Sequence, residues 1–356
     1  MGEMDDLRRQ IDALDQDIVA LLVERARLAQ RIGQLKGEQG SATFAPARES
    51  DILRHIKELP TAPLKTEAVA AVFGEIVSAC RALEQPLVVA YLGPQHTYSH
   101  LAALRRFGSQ ASFLATASVG EAFAAVSKGN ADVGMVPVEN SLHGVEAQTL
   151  DALSQADLLI CGESHLPIHH CLAAACPQEE ITTVFSHPQA LAQCDGWLKA
   201  NLPRAERVEA ASTVTGAESA ARTPGGAALC SQMAAEAHGL QVLAENVEDL
   251  PNNRTRFLVI SLLDCPPTGR DKTSIVMATR HEAGALYHAL TPFQENGINM
   301  TLIESRPTRH TPWEYHFFVD FQGHRADENV ARALAALRER CLFVKVLGSY
   351  PEADLL

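Results

Sequence analysis

Two cations on one helical stripe raise the first question of chemistry. Arg25 and Lys36 lie 11 residues apart around "LLVERARLAQRIGQLK". On an α-helix that is about three turns and roughly 16 Å, so both side chains leave the same face. Leu7, Ile11, Leu14, Ile18, Leu21, Leu28, Ile32 and Leu35 recur at steps of four and three. They form an apolar seam whose missing member is Arg25. An unmatched cation there costs on the order of several kcal/mol, so something anionic is expected to meet it. Two long cationic side chains at that separation fit the ends of a small dianion. Arg8 precedes Arg25 by 17 residues, roughly 25 Å and a turn of about 100° away. It joins the same site only if another copy of the chain supplies it. Most helix cations are merely solvated, which suffices for Arg8 alone but not for Arg25.

A second set of candidates carries hydroxyls and amides. "GPQHTYSH", "VPVENSLHG", "FSHPQAL", "ASTVTGAESA" and "NNRTRFLVI" read as loops at strand ends, rich in Ser, Thr, Asn and His. Each alone could be a helix cap or a turn, yet strand ends are where α/β folds hold ligands. His169, His170, Cys171 and Cys176 in "LPIHHCLAAAC" match no zinc spacing, so the stretch reads as core packing in a strand and no metal site is expected. The eight cysteines form no C-x-x-C pair, as in reduced cytoplasmic proteins.

The elements that must position these residues fall into three regions. Residues 1–86 read as helical: a first helix over about Asp5–Lys36, a break at "GEQGSATFAP", a second over about Ala47–Glu58, and a third after "LPTAPLKT". A first helix of some 30 residues is too long to be covered within one chain, so dimerisation through its seam is expected. Residues 87–264 alternate short β-rich runs ("DVGMVPV", "TTVFS", "AALCS", "TRFLVISLL") with Ala-rich helical stretches, an α/β layout with a central sheet. Residues 265–271 read as a linker. Residues 272–356 give strand (Thr273–Thr279), helix (Gly284–Asn296), strand (Met300–Ser305), strand (Glu314–Phe321), helix (Glu328–Cys341) and strand (Phe343–Tyr350), the α+β ferredoxin-like order. A net charge of −13 argues against nucleic-acid or anionic-membrane partners. No apolar run reaches the length of a membrane span, and the polar, helical start reads as no secretion signal.

Here the residues acquire a resemblance. "LRRQIDALDQDIVALLVERARLAQRIGQLK", "ARE" and "EIVSACRALEQ" resemble the helical chorismate mutases. That resemblance implies an intertwined helical dimer that rearranges chorismate to prephenate. Carried over by motif, Arg8 comes from the partner chain, Arg25 and Arg48 hold carboxylates, and Lys36 donates to the ether oxygen. Glu49 binds the substrate hydroxyl and Glu84 faces the ether oxygen from the other side. A pericyclic reaction needs no nucleophile, only a compact substrate conformer and cations where negative charge grows. Two departures stand out: Ala45 where some members carry Asp, and Glu84 where some carry Gln. A carboxyl facing a growing negative charge helps only while protonated, so mutase activity is expected to fall as pH rises and Glu84→Gln to flatten that profile.

The hydroxyl-rich segments follow the motif order of the prephenate dehydratases, which implies two α/β lobes around a cleft, as in periplasmic binding proteins. It also implies loss of CO2 and the ring hydroxyl from prephenate to give phenylpyruvate. Thr255 is the residue expected to assist the departing hydroxyl, within a hydrogen-bond network, with Arg256 and Phe257 shaping the site. Glu139, Asn140, Ser141, His187, Ser212 and Thr213 are further candidates. His96 stands where the motif usually has Gly, so it is expected to slow the dehydratase or change substrate fit. "HEAGALYHALTPFQENGINMTLIESRPT", "PWEYHFFVDFQGH" and "CLFVKVLGSYP" resemble the phenylalanine-sensing ACT domain. That implies L-phenylalanine bound between two such domains near Gly284, Ala285, Leu286 and Asn299, with Glu304, Ser305, Arg306 and Pro307 on the next strand.

Together these imply a bifunctional chorismate mutase/prephenate dehydratase inhibited by phenylalanine, needing no cofactor, assembled as a homodimer or homotetramer. The chain lacks a G-x-G-x-x-G after a strand, which sets aside a fused NAD-dependent dehydrogenase. The remaining alternative is an active mutase fused to a non-catalytic sensing region.

Overall fold

The computed structural model describes residues 2–38, 44–307 and 315–353, in two compact units. Residues 39–43 of the first helix break, Thr308, and Glu314 at the head of an expected strand lie outside the described residues. Among the described residues no helix is long and apolar enough to cross a membrane.

The first unit, residues 1–88 with 104–112, is helical. Its first helix α1 (Glu3–Glu38) opens on Glu3, Asp5 and Asp6 and closes near Lys36, charges that suit the two ends of the helix dipole. The second, α2 (Pro46–Glu58), starts with Pro at its first turn, where the missing N–H costs nothing. The third is α3 (Thr66–Ala82). The seam from Leu7 to Leu35 stays 42–65% exposed, so this chain alone leaves it uncovered.

The second unit holds three sheets. Its first lobe contains β1 (Val88–Leu92), α4 (Tyr98–Phe107), β2 (Ser112–Thr116), α5 (Val119–Ser127), β3 (Val133–Asn140), β4 (Gly144–Val145), α6 (Ala147–Gln155) and β5 (Leu159–Pro167). The chain then crosses to β6 (Cys171–Ala174), β7 (Thr183–Ser186), α7 (Pro188–Gln193), α8 (Asp195–Asn201), β8 (Glu206–Glu209), α9 (Thr213–Arg222), β9 (Gly226–Cys230), α10 (Gln232–Ala237) and β10 (Gln241–Ala244). It returns through β11 (Arg254–Ser261), which inserts antiparallel between β3 and β5. The alternating pattern by itself suggests one central sheet, while the motif order implies two lobes. The structure has two sheets, ordered β2-β1-β3-β11-β5 and β10-β6-β9-β7-β8, because periodicity marks strands without marking their partners. Two chain crossings between the lobes leave a cleft where strand ends and helix starts converge.

The third sheet comprises β12 (Asp271–Ala278), β13 (Met300–Pro307), β14 (Tyr315–Gln322) and β15 (Phe343–Pro351), ordered β13-β14-β12-β15. Helices α11 (Ala285–Glu295) and α12 (Glu328–Arg340) cover one face through Phe293, Val330, Leu334 and Leu337. This is the ferredoxin-like order. Its first strand starts at Asp271, so the predicted linker runs one residue too far.

A buried ion cluster joins this sheet to the first lobe. Arg256 on β11 donates through Nε to Glu163 Oε2 at 2.8 Å and approaches Asp320 of β14 at 2.6 Å. Lys272 of β12 reaches Glu163 Oε1 at 2.9 Å, and Tyr350 accepts from Arg256 at 3.0 Å. Nearby, Gly348 of β15 lies so close to β5 that a Cβ there would stand 2.2 Å from the Ile160 carbonyl oxygen. Lys345 caps the carbonyl end of α6 by donating to Ser154 and Ala156 at 3.1 and 2.6 Å.

Burial pushes the Glu163 carboxyl up, but Arg256 and Lys272 outweigh it and hold it below the usual carboxylate range. The folded state therefore binds fewer protons than the unfolded one. The stabilisation is complete above about pH 4.5 and is lost as pH falls through the folded value. Glu163→Gln is expected to cost about 3 kcal/mol at pH 7, and the gap from the parent to shrink below about pH 4. Urea unfolding at both pH values measures this.

Candidate functional site

In the helical unit a pocket of about 260 Å³ is walled by Arg25, Lys36, Arg48, Glu49 and Glu84, with Leu28, Ile32 and Val77 supplying apolar surface. Among the described residues Arg25 meets no carboxylate: its Nη1 donates to Cys80 Sγ at 2.9 Å, which aims the guanidinium without neutralising it. Glu84 reaches in because α1 offers Gly33 opposite; a Cβ there would stand 2.6 Å from Glu84 Cγ. Glu84 Oε2 is buried without a hydrogen bond and 3.9 Å from Lys36 Nζ. Arg8 is off this wall, exposed and 3.8 Å from Asp5.

Glu49 lines the pocket while Oε1 accepts from Arg81 at 2.5 Å and Oε2 is 3.5 Å from Arg106. Two guanidinium groups hold its carboxylate against the wall. Arg81, itself buried and on the wall, escaped the sequence reading. Its pairing spans 32 residues between helices, and no periodicity encodes that.

The cleft of the second unit measures about 400 Å³. No Lys or Arg is among its described lining residues. What surrounds it instead is a set of helix starts: Thr97, Tyr98 and Ser99 at α4, Glu146 before α6, and Ser212 and Thr213 at α9. Unpaired N–H groups and the positive ends of helix dipoles suit anions. Ser212 does two jobs, since its Oγ caps α9 by accepting from Thr215 N at 3.0 Å while it faces the cleft. His187 likewise caps α7 and lines the cleft. Asn140 and Thr255 meet there, Asn140 Nδ2 donating to Thr255 Oγ1 at 3.0 Å.

The stretch "LPIHHC" is not mere core packing. His170 lines the cleft, its Nδ1 2.9 Å from Tyr98 Oη and its Nε2 2.8 Å from Gln193 Oε1. Its N–H donates to Glu248 at 2.9 Å. Burial lowers the His170 ring below the ordinary imidazole value, so it stays neutral. The feature that would have signalled it is a polar pair just before an apolar strand, where the chain crosses between lobes.

Three dehydratase candidates lie elsewhere. β11 alternates, so Thr255 and Phe257 face the cleft while Arg256 turns to the opposite face. Glu139 sits opposite Arg256 in the ladder, 3.9 Å from its guanidinium, and does not line the cleft. Ser141 latches the strand ends, accepting from Arg254 N at 2.9 Å and donating to Asn252 O at 2.8 Å. His96 has φ +70 and packs its ring against His100. It keeps the left-handed backbone that Gly serves and is not on the cleft wall, so crowding of a ligand is not what its side chain does.

In the third sheet, Gly284 caps α11 with φ +81, followed by Ala285 and Leu286. Asn299 precedes the edge strand β13, along which Glu304 and Arg306 are half-buried and Ser305 and Pro307 exposed. Arg306 is already engaged: its Nη2 lies 3.2 Å from both oxygens of Asp151 on α6.

Family models match three consecutive stretches: chorismate mutase type II over residues 7–85, prephenate dehydratase over 89–264, and ACT domain over 273–339. A bifunctional chorismate mutase/prephenate dehydratase of Aquifex aeolicus is 44% identical over 360 residues, which cover 100% of this chain and 99% of the relative. A prephenate dehydratase of Amycolatopsis methanolica is 41% identical over 270 residues, 75% of this chain and 89% of its own. Among solved structures, the prephenate dehydratase in complex with L-Phe from Arthrobacter aurescens matches with a TM-score of 0.70 at 36% identity. It covers 75% of this chain and 91% of its own.

The neutral His170 yields a pH prediction. An unfolded histidine titrates near 6.5, and the folded ring titrates lower. The stability it contributes is full above about pH 6.5 and falls as pH drops below that value. His170→Gln is therefore expected to flatten part of the loss of thermal stability between pH 7 and pH 5. Unfolding followed by circular dichroism at both pH values checks this; an unchanged slope would refute it.

Proposed function

This chain belongs to the bifunctional chorismate mutase/prephenate dehydratases, and from that premise we propose how its residues divide the work. The helical pocket takes chorismate. Arg25 and Arg48 hold its carboxylates, and Lys36 donates to the ether oxygen as the C–O bond lengthens. Glu84, just past the end of α3, faces that oxygen from the other side. The protein contributes conformer selection and pre-placed positive charge. Arg8 completes the site from a partner copy, and the exposed seam of α1 is the surface that brings that copy in. Glu49 acts through Arg81 rather than on substrate.

The cleft takes prephenate. Helix starts at α4, α6 and α9 receive its carboxylates, and Thr255 donates to the departing ring hydroxyl. His187, Ser212 and Thr213 hold the substrate's polar edge, and Phe257 packs beneath the ring. Neither reaction draws on a metal or redox cofactor. L-phenylalanine, the compound bound by the Arthrobacter aurescens relative, binds the ACT sheet near Gly284–Leu286 and Asn299 and restrains turnover. Arg306 ties that sheet to α6. The eight free cysteines suit a reducing compartment, the cytoplasm.

The observation that carries this reading is the electrostatic contrast between two pockets in one chain. One is walled by full cations; the other has none and is ringed by helix starts. Supplied with chorismate, the parent is expected to form prephenate and then phenylpyruvate. Arg25→Ala is expected to lower mutase turnover by at least about 100-fold while dehydration of added prephenate persists. Thr255→Val is expected to do the reverse. Prephenate accumulating without phenylpyruvate in the parent would reduce the cleft to a sensing site. Arg8→Ala and Arg25→Ala chains, each weak alone, are expected to regain about a quarter of parental mutase activity when mixed, because half the dimers are mixed and carry one intact site of two. Failure of folded, exchanging chains to recover would rule out the shared site.

A further inference from the structure

The cleft holds a polar group with nothing to bind. Asn253 is 1% exposed and lines the cleft beside Asn140 and Thr255. Its Nδ2 has no hydrogen-bond partner. An unmade buried donor costs about 1–3 kcal/mol, and folded proteins rarely retain one without a use.

The orientation of this amide follows from the chain of bonds behind it. Asn140 Oδ1 accepts from the backbone N–H groups of Leu142 and His143, at 3.0 and 3.2 Å. Two donors fix that oxygen, so Asn140 Nδ2 must point the other way. It donates to Asn253 Oδ1 at 2.8 Å and Thr255 Oγ1 at 3.0 Å. Asn253 therefore presents its oxygen to Asn140 and keeps its NH2 free. A flipped Asn253 would set two NH2 groups against each other. The same bond leaves Thr255 with its hydroxyl oxygen already accepting, so its one proton is available to donate. One amide thus leaves two neighbouring donors uncommitted.

We propose that Asn253 is a catalytic residue of the dehydratase: its NH2 donates, together with the Thr255 hydroxyl, to the oxygen that leaves the prephenate ring. This rests on the reading of Thr255 given above. In the reaction the bond from the ring to the carboxylate carbon breaks and CO2 departs. Its electron pair enters the ring, and the ring C–O bond breaks with its pair going to oxygen. That oxygen leaves as hydroxide and takes a proton from water. Negative charge grows on it before the proton arrives, when two fixed donors are worth most. Asn140 is the positioning residue that aims both.

The test is steady-state kinetics of the full chain with prephenate, with mutase turnover on chorismate as a fold control. Asn253→Ala is expected to lower dehydratase kcat by 10²–10³-fold, the usual effect of removing one such donor, with KM changed by less than about threefold. Asn253→Asp keeps an oxygen for Asn140 and loses only the donor, so a loss at least as large is expected, with thermal unfolding near the parent. Asn140→Ala is expected to cost less kcat in the Asn253→Ala background than in the parent, since part of its effect runs through Asn253. A kcat within threefold of the parent in both Asn253 variants would overturn the proposal, as would a loss confined to KM. Thr255→Val separates the two readings. Impaired Thr255→Val with intact Asn253 variants sinks this proposal alone. Intact Thr255→Val with impaired Asn253→Ala and Asn253→Asp sinks the Thr255 role and keeps Asn253 as donor.

Discussion

Arg256 carries a charge that the fold has buried and must answer. Its guanidinium meets Glu163, Asp320 and Tyr350, and Lys272 takes the other oxygen of Glu163. Two cations and two anions form its buried centre, with Glu139 and Glu352 at its edge, and removing a central member leaves buried charge unbalanced. The members come from different elements: β11 and β5 of the first lobe, β12 and β14 of the ACT sheet. Strand alternation then does the rest. Because Arg256 must face the ACT sheet, Thr255 and Phe257 must face the cleft. Docking of the ACT sheet and presentation of Thr255 to the cleft are thus two faces of one strand.

The two pockets answer similar ligands in different ways. A helical bundle offers long side chains and little free backbone, so its site uses Arg25, Lys36 and Arg48. A two-lobed α/β unit offers helix starts, and its site uses N–H groups, hydroxyls and amides. A departing oxygen in the cleft benefits from directed donors of fixed position, which backbone and amide groups provide at low conformational cost. The helical pocket instead sets point charges at its two ends, Arg25 and Lys36.

Much of this was legible in the sequence because it follows periods and order. The α1 seam, the break before α2, the ferredoxin-like order and the sequence of loop motifs all depend on local spacing. Ser212 could be read as a cap and as a site residue; it caps α9 and lines the cleft. What stayed hidden depends on pairing across long separations. Nothing near Glu49 in the chain announces Arg81 or Arg106, and nothing near Arg256 announces Asp320. Glu139 and Arg256 sat in the right motifs, but a motif does not say which face of a strand its members take. Periodicity alone could not divide the α/β unit into its two sheets, since β11 returns to pair with β3, more than a hundred residues earlier in the chain; the motif resemblance supplied the two lobes.

Gly348 adds a mechanical consequence. Where side chains meet, a junction can slide or repack by changing rotamers. At Gly348 and Ile160 backbone meets backbone, with no room for even a methyl group. Such a joint has no slack. A displacement of β15 cannot be absorbed at that contact and passes to β5, whose ladder to β11 shifts register between Val259 and Ile260, right beside Ile160. The ACT sheet meets the strand beside β11 by direct backbone contact, and that contact hangs on the absence of one carbon atom.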